Sequence, residues 1–143
     1  MSKKKLKYVY PFSISEIKTN SFFMTEINDD APFNPDHVEF FIRPAFGFDK
    51  EKKMILMKIA ITYLYEGEEI LKAEFDTIYK CDKLSKEEFS NKNLLASLLG
   101  ISFSTIRGIL ISKTGTCKLS DIYLPIINPS EIIKNEFDTF KSH

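Results

Sequence analysis

LLASLLGISFSTIRGILISKTGTCKLSDIYLPIIN, residues 94–128, decides how the rest of the chain is arranged. Leu95, Leu98, Leu99, Ile106 and Leu110 recur at helical spacing and share one face. Leu94, Ile101, Phe103, Ile109 and Ile111 widen the apolar surface beyond a single stripe, and a helix that is oily on more than one side is buried on more than one side. Gly100 and Gly108 each weaken a helix by about 1 kcal/mol relative to alanine, so a bend is expected near Gly100 and close packing at Gly108. The helix ends at the turn Lys113-Thr114-Gly115-Thr116, and Leu119 to Asn128 returns in extended form between Thr116 and Pro129. Ser130 is the expected cap of a last short helix, with Ile132, Ile133, Phe137 and Phe140 as its inner stripe.

Upstream the period changes from helical to two. Tyr8 to Ile27 is strand-prone, and Asn28 to Asp36 gathers turn formers with Pro32 and Pro35. Val38 to Phe48 puts Val38, Phe40, Ile42, Phe46 and Phe48 on one side and Glu39, Phe41, Arg43 and Ala45 on the other. Pro44 within it implies an edge strand or a bulge. Met54 to Tyr65 carries an unbroken apolar face, Ile55, Met57, Ile59, Ile61, Tyr63 and Tyr65. Glu66-Gly67-Glu68 is a tight hairpin into Ile70 to Cys81, where Leu71, Ala73, Phe75, Tyr79 and Cys81 oppose Lys72, Glu74, Asp76 and Lys80. Ser85 and Glu88 have capping-box spacing, so the helix starts there or at Ser90 or Asn91. The sum is a single α+β domain over residues 1–143: a four-stranded antiparallel sheet, one long helix and a short C-terminal helix. Lys3, Lys4, Lys5 and Lys7 form a solvated basic tail ahead of it.

Composition excludes several function classes. Lys and Arg total 20 and Asp and Glu total 20, a zero net charge that disfavours nucleic acid as the main partner. No uninterrupted apolar run approaches the roughly 20 residues a membrane span needs, and no secretory leader is visible. Cys81 and Cys117 read as small buried hydrophobes in a reducing compartment, which points to the cytoplasm. His37 and His143 match no metal-ligand spacing, and Asp29, Asp30 and Asp36 lack the glycine and final glutamate of a calcium loop. Lys113 precedes Gly115, the reverse of a phosphate-loop order, and no serine lies in a nucleophile motif. The expectation is a protein without cofactor, metal or catalytic residues. The aromatic content is 13 Phe and 6 Tyr with no Trp, so most of it has no polar handle and must fill a core or offer an oily surface.

The order of strand, Pro-rich crossover, three-strand meander, long helix, turn, Leu-Pro segment and short helix resembles the SecB family of protein-export chaperones. Three places carry the resemblance: the Tyr65-Glu66-Gly67-Glu68-Glu69 hairpin, the helix Leu94 to Lys113 with Arg107 in its second half, and Gly115-Thr116 followed by Leu124-Pro125-Ile126-Ile127-Asn128. The Ser104-Thr105-Ile106-Arg107-Gly108 variant is similar to divergent SecB-like proteins rather than to the export chaperone proper. The resemblance implies a homotetramer with long helices sandwiched between sheets, and ATP-independent holding of non-native polypeptides in apolar grooves. Phe40, Phe41, Phe46, Phe48, Phe103 and Ile106 are the candidate groove residues. Leu95, Leu98, Leu99, Arg107, Gly108 and Leu110 are the candidate oligomer interface, with Arg107 either bonded to a neighbouring subunit or snorkelling. Partners implied are non-native clients, the export ATPase, or an antitoxin of a toxin–antitoxin pair. The family offers the ATPase an acidic sheet face; the mixed charges of Lys72, Glu74, Asp76 and Lys80 depart from it. The alternative is an oligomeric scaffold or small-ligand module that kept the fold without client binding.

Overall fold

The computed structural model describes residues 12–25, 32–115 and 127–134. The basic tail, Tyr8, Tyr10, Pro11, the Asp29–Asp30 turn, Cys117, the return from Leu119 to Ile126, Phe137, Phe140 and His143 lie outside the described residues. Four strands form one antiparallel sheet: β1 (Ser13–Met24), β2 (Val38–Asp49), β3 (Met54–Tyr65) and β4 (Glu68–Lys80), in the order β1-β4-β3-β2. One long helix, α1 (Lys92–Thr114), follows, and residues 129–134 are helical again.

The alternation in β3 and β4 sets the layers. Ile55, Met57, Ile59, Ile61, Leu71, Ala73, Phe75 and Tyr79 are fully buried on the inner side of the sheet, under α1. The other side carries Lys58, Lys72, Glu74, Asp76 and Lys80, exposed or half-exposed. The meander is closed by Glu66 and Gly67, with φ of 51° and 82°, the two positive values that a type I′ hairpin turn needs. Pro44 lies on the inner side of β2, opposite Ile59 in an unbroken register, so β2 is an edge strand without a bulge.

Helix starts follow local hydrogen bonding. The Glu88 carboxylate accepts from the Ser85 backbone N–H at 3.1 Å, but this pairing opens only the short 3-10 turn Lys86–Ser90. Asn91 caps α1, its Oδ1 accepting from the backbone of Asn93 and Leu94 at 2.8 and 3.2 Å. α1 then runs unbroken across Gly100. The close neighbour is at Gly100, where a Cβ would lie 3.5 Å from Pro129. At Gly108, where close packing was expected, a Cβ would meet nothing within 4 Å of the same chain. The helix ends at Gly115 with φ of −61°, in the right-handed region, where a Cβ would sit 3.2 Å from the Ile111 carbonyl. The last helix is capped by Asn128, not Ser130: the Glu131 N–H donates to Asn128 Oδ1 at 3.3 Å, and Pro129 takes the first helical position, where no amide proton is required.

One polar pair is buried between the layers. The Tyr79 hydroxyl lies 2.6 Å from Ser102 Oγ and donates to the Leu98 carbonyl at 3.1 Å, which ties β4 to α1. Burial raises the Tyr79 pKa, only partly offset by the Ser102 hydrogen bond; burial also raises Tyr63, and burial with the nearby Asp82 charge raises the Cys81 thiol. Each group keeps its proton more firmly folded than unfolded. Stability is therefore intact below about pH 9 and declines as pH rises through and above the unfolded values, 9.0 for cysteine and 10.0 for tyrosine. Thermal melts should show a midpoint falling from about pH 9 upward, with a slope of up to about 1.4 kcal/mol per pH unit for each titrating group. A midpoint flat to pH 11 would contradict the burial of these three groups.

Candidate functional site

The six aromatic and aliphatic positions singled out for a groove do not lie on one surface. Phe40 and Phe46 are half-buried on the inner side of β2, facing α1. Phe41 is on the opposite, outer side and 50% exposed, as its odd position in the strand requires. Phe48, at the far end of β2, is 42% exposed and borders a shallow cleft of about 340 Å³ with Gly47, Met54, Leu56 and Ile78, rimmed by Asp49 and Lys52. Phe103 and Ile106 are only 2% and 1% exposed. Both are core side chains, and Phe103 lies beneath Phe40 of β2.

What the structure does bring together is a run of aromatic rings along the β2 side. Phe103, on α1, meets Phe40 edge-on, with ring centres 6.2 Å apart and planes at 78°. That geometry sets the positive edge of one ring against the negative face of the other. Phe40 lies 5.7 Å from Tyr63. Phe33 stacks on Tyr65 at 4.7 Å and 49°, and the Tyr65 hydroxyl accepts from the Asn34 N–H at 3.3 Å, which fixes the approach to β2. The Arg107 guanidinium lies 5.4 Å from the centre of the Phe103 ring. This is a cation–π contact made within the chain. Sequence reading missed Phe33 and gave Tyr65 no role in a site. Tyr65 was visible as the last member of the β3 apolar face; Phe33, lone between Pro32 and Pro35, carried no period.

The candidate interface residues divide as well. Leu95, Leu98, Leu99 and Leu110 are buried against the chain's own sheet, at 3% exposure or less, and so are already used. Arg107 is half-buried and Gly108 is exposed. The outward side of α1 is carried by Ile101, Ser104, Gly108 and Ile111, the last 59% exposed. On β1, the edge away from β2, Ile14 and Ile17 are 42% and 39% exposed although their strand partners Tyr79 and Thr77 are buried. α1 has the length and apolar composition of a membrane-crossing helix, and 44% of its most apolar window is buried inside the fold. Among the described residues no three His, Cys, Asp or Glu side chains converge as metal ligands.

No protein-family profile matches the sequence, and no curated protein matches it. Among solved structures, the chain is similar to the Mycobacterium tuberculosis SecB-like chaperone Rv1957, solved in complex with a ChAD peptide from the Rv1956 HigA1 antitoxin. The TM-score is 0.55 at 16% identity, over 81% of this chain and 90% of that one. A Streptococcus agalactiae protein of unknown function aligns over 81% of this chain and 96% of its own at 13% identity, with a TM-score of 0.39. The four-stranded antiparallel sheet, long helix and short C-terminal helix form a SecB-like fold.

Proposed function

We propose that this SecB-like chain is an ATP-independent holdase that binds non-native polypeptides through apolar surface. The observation that carries this reading is the aromatic run at β2: half-buried Phe33, Phe40 and Tyr65 backed by buried Tyr63 and Phe103, with Phe41 and Phe48 left exposed at either side of the strand. Fully burying an exposed side chain of this size is worth roughly 1.5–3 kcal/mol and covering a half-exposed one a part of that, so several together hold an unfolded segment without sequence specificity and without nucleotide. The antitoxin peptide in the M. tuberculosis complex supports polypeptide clients, antitoxins among them. The mixed charge of Lys58, Lys72, Glu74, Asp76 and Lys80 on the outer sheet face favours that role over docking to an export ATPase. The chain works as a homo-oligomer, a tetramer in this reading, in the cytoplasm; Ile14, Ile17, Ile101 and Ile111 are the apolar positions that assembly would cover. No catalytic role is assigned to any side chain.

Replacing Phe41 together with Phe48 by serine tests the client surface. Both rings are exposed, so the fold and the oligomer should survive. The affinity for an unfolded reporter should fall about ten-fold or more, as expected when two partly covered rings are lost. An unchanged affinity would move the binding surface away from these two positions.

A further inference from the structure

The direction of the β2 backbone follows from two independent features. In a two-residue hairpin the closing pair is hydrogen-bonded, so Tyr65 turns its N–H and C=O toward Glu68 on β4. The β2–β3 register is unbroken, so the alternation holds along β3: odd residues face β4 and even residues face β2. Even β3 residues pair with odd β2 residues, Leu64 with Glu39, Thr62 with Phe41 and Ala60 with Arg43. Val38, Phe40, Ile42, Pro44, Phe46 and Phe48 therefore direct their backbone groups away from the sheet. Pro44 agrees, because a residue without an N–H fits a strand only on that outward side.

The outward row is uneven. The Val38 N–H is already spent on the Pro35 carbonyl. Phe40 and Ile42 offer N–H and C=O groups at a repeat of about 6.8 Å. At Pro44 the donor is missing and the row stops. A short ladder of backbone donors and acceptors at that spacing is matched by another extended backbone.

We infer that the Val38–Ile42 edge of β2 takes up an extended segment of a non-native polypeptide as an added strand, and that Pro44 ends the pairing. The inference rests on the holdase reading and names how that surface recognises its client. The added strand would place alternate side chains beside Phe40 and Ile42, above the Phe103 floor, and the others beside Phe41 on the outer face. A second copy of β2 is a poor occupant, since any pairing carried past Arg43 brings Pro44 into the ladder. The opposite edge is less suited: β1 is broken by register shifts between Ile14 and Glu16 and between Thr19 and Ser21, which reverse its outward row twice.

Amide exchange on the isotope-labelled protein, with and without a short peptide alternating valine and threonine, tests this directly. The Phe40 and Ile42 amides should slow about ten-fold or more on saturation, while Phe46 and Phe48, beyond Pro44, stay unchanged. Methylating the peptide nitrogens that would face β2 should weaken binding about five-fold per bond removed. Peptide binding that leaves the Phe40 and Ile42 amides unprotected and tolerates methylation would overturn strand addition and leave the holdase reading standing. So would a protein that holds an unfolded reporter but does not bind the peptide. A protein that binds neither overturns both.

Discussion

Phe103→Ala should destabilise the folded chain by about 3–5 kcal/mol, lowering the thermal midpoint by on the order of 10 °C. The ring is 2% exposed, packs edge-on against Phe40 and underlies the Arg107 guanidinium. Its removal leaves a cavity under β2, strips Phe40 of its support and deprives Arg107 of its cation–π partner, three losses at one contact. The exposed Phe41→Ser change should cost less than about 1 kcal/mol. Denaturant titration of the two variants separates floor from surface. A Phe103→Ala variant no more destabilised than Phe41→Ser would mean that the ring is not the floor of β2.

If copies of the chain assemble through the outward side of α1, Ile111→Glu combined with Ser104→Glu should break that contact and leave the chain folded, read by sedimentation and by circular dichroism on the same sample. Both positions are exposed on the outward side of α1, Ile111 at 59%. Charge there does not enter the chain's own core but must be desolvated in any contact with a second copy. Gly108→Ala reports on the same face through its sign. A Cβ at Gly108 meets nothing within its own chain. The isolated fold therefore gains about 1 kcal/mol of helix propensity. If another subunit packs closely at Gly108, the substitution lowers the melting temperature instead. An original chain that sediments as a monomer at micromolar concentration would contradict the oligomer.

The sheet was legible because period two has a single reading once one face is buried. The alternation from Ile55 to Tyr65 and from Leu71 to Cys81 fixed which residues face α1, and Pro44 had only to be assigned to an edge or a bulge. The helix was legible as a helix, but not in what each of its sides touches. Leu95, Leu98, Leu99 and Leu110 share a face by spacing alone; spacing cannot say whether a sheet of the same chain or another subunit covers it. The same ambiguity makes Phe103 and Ile106 candidate groove residues, whereas both are buried in the core. Gly100 and Gly108 look alike in sequence, and only the position of Pro129 distinguishes the packed one from the open one. Phe33 was hidden because it sits in a turn-rich segment with no period to assign its direction.

The most direct test of the proposed holding activity is light scattering of a chemically unfolded reporter diluted into buffer with the purified protein and no nucleotide. A several-fold molar excess of the protein should suppress aggregation, the suppression should be unchanged by added ATP, and the Phe41→Ser, Phe48→Ser variant should suppress less at the same protein concentration. Aggregation that proceeds at the same rate with and without the original protein would contradict the holdase reading and favour an oligomeric scaffold on the same fold.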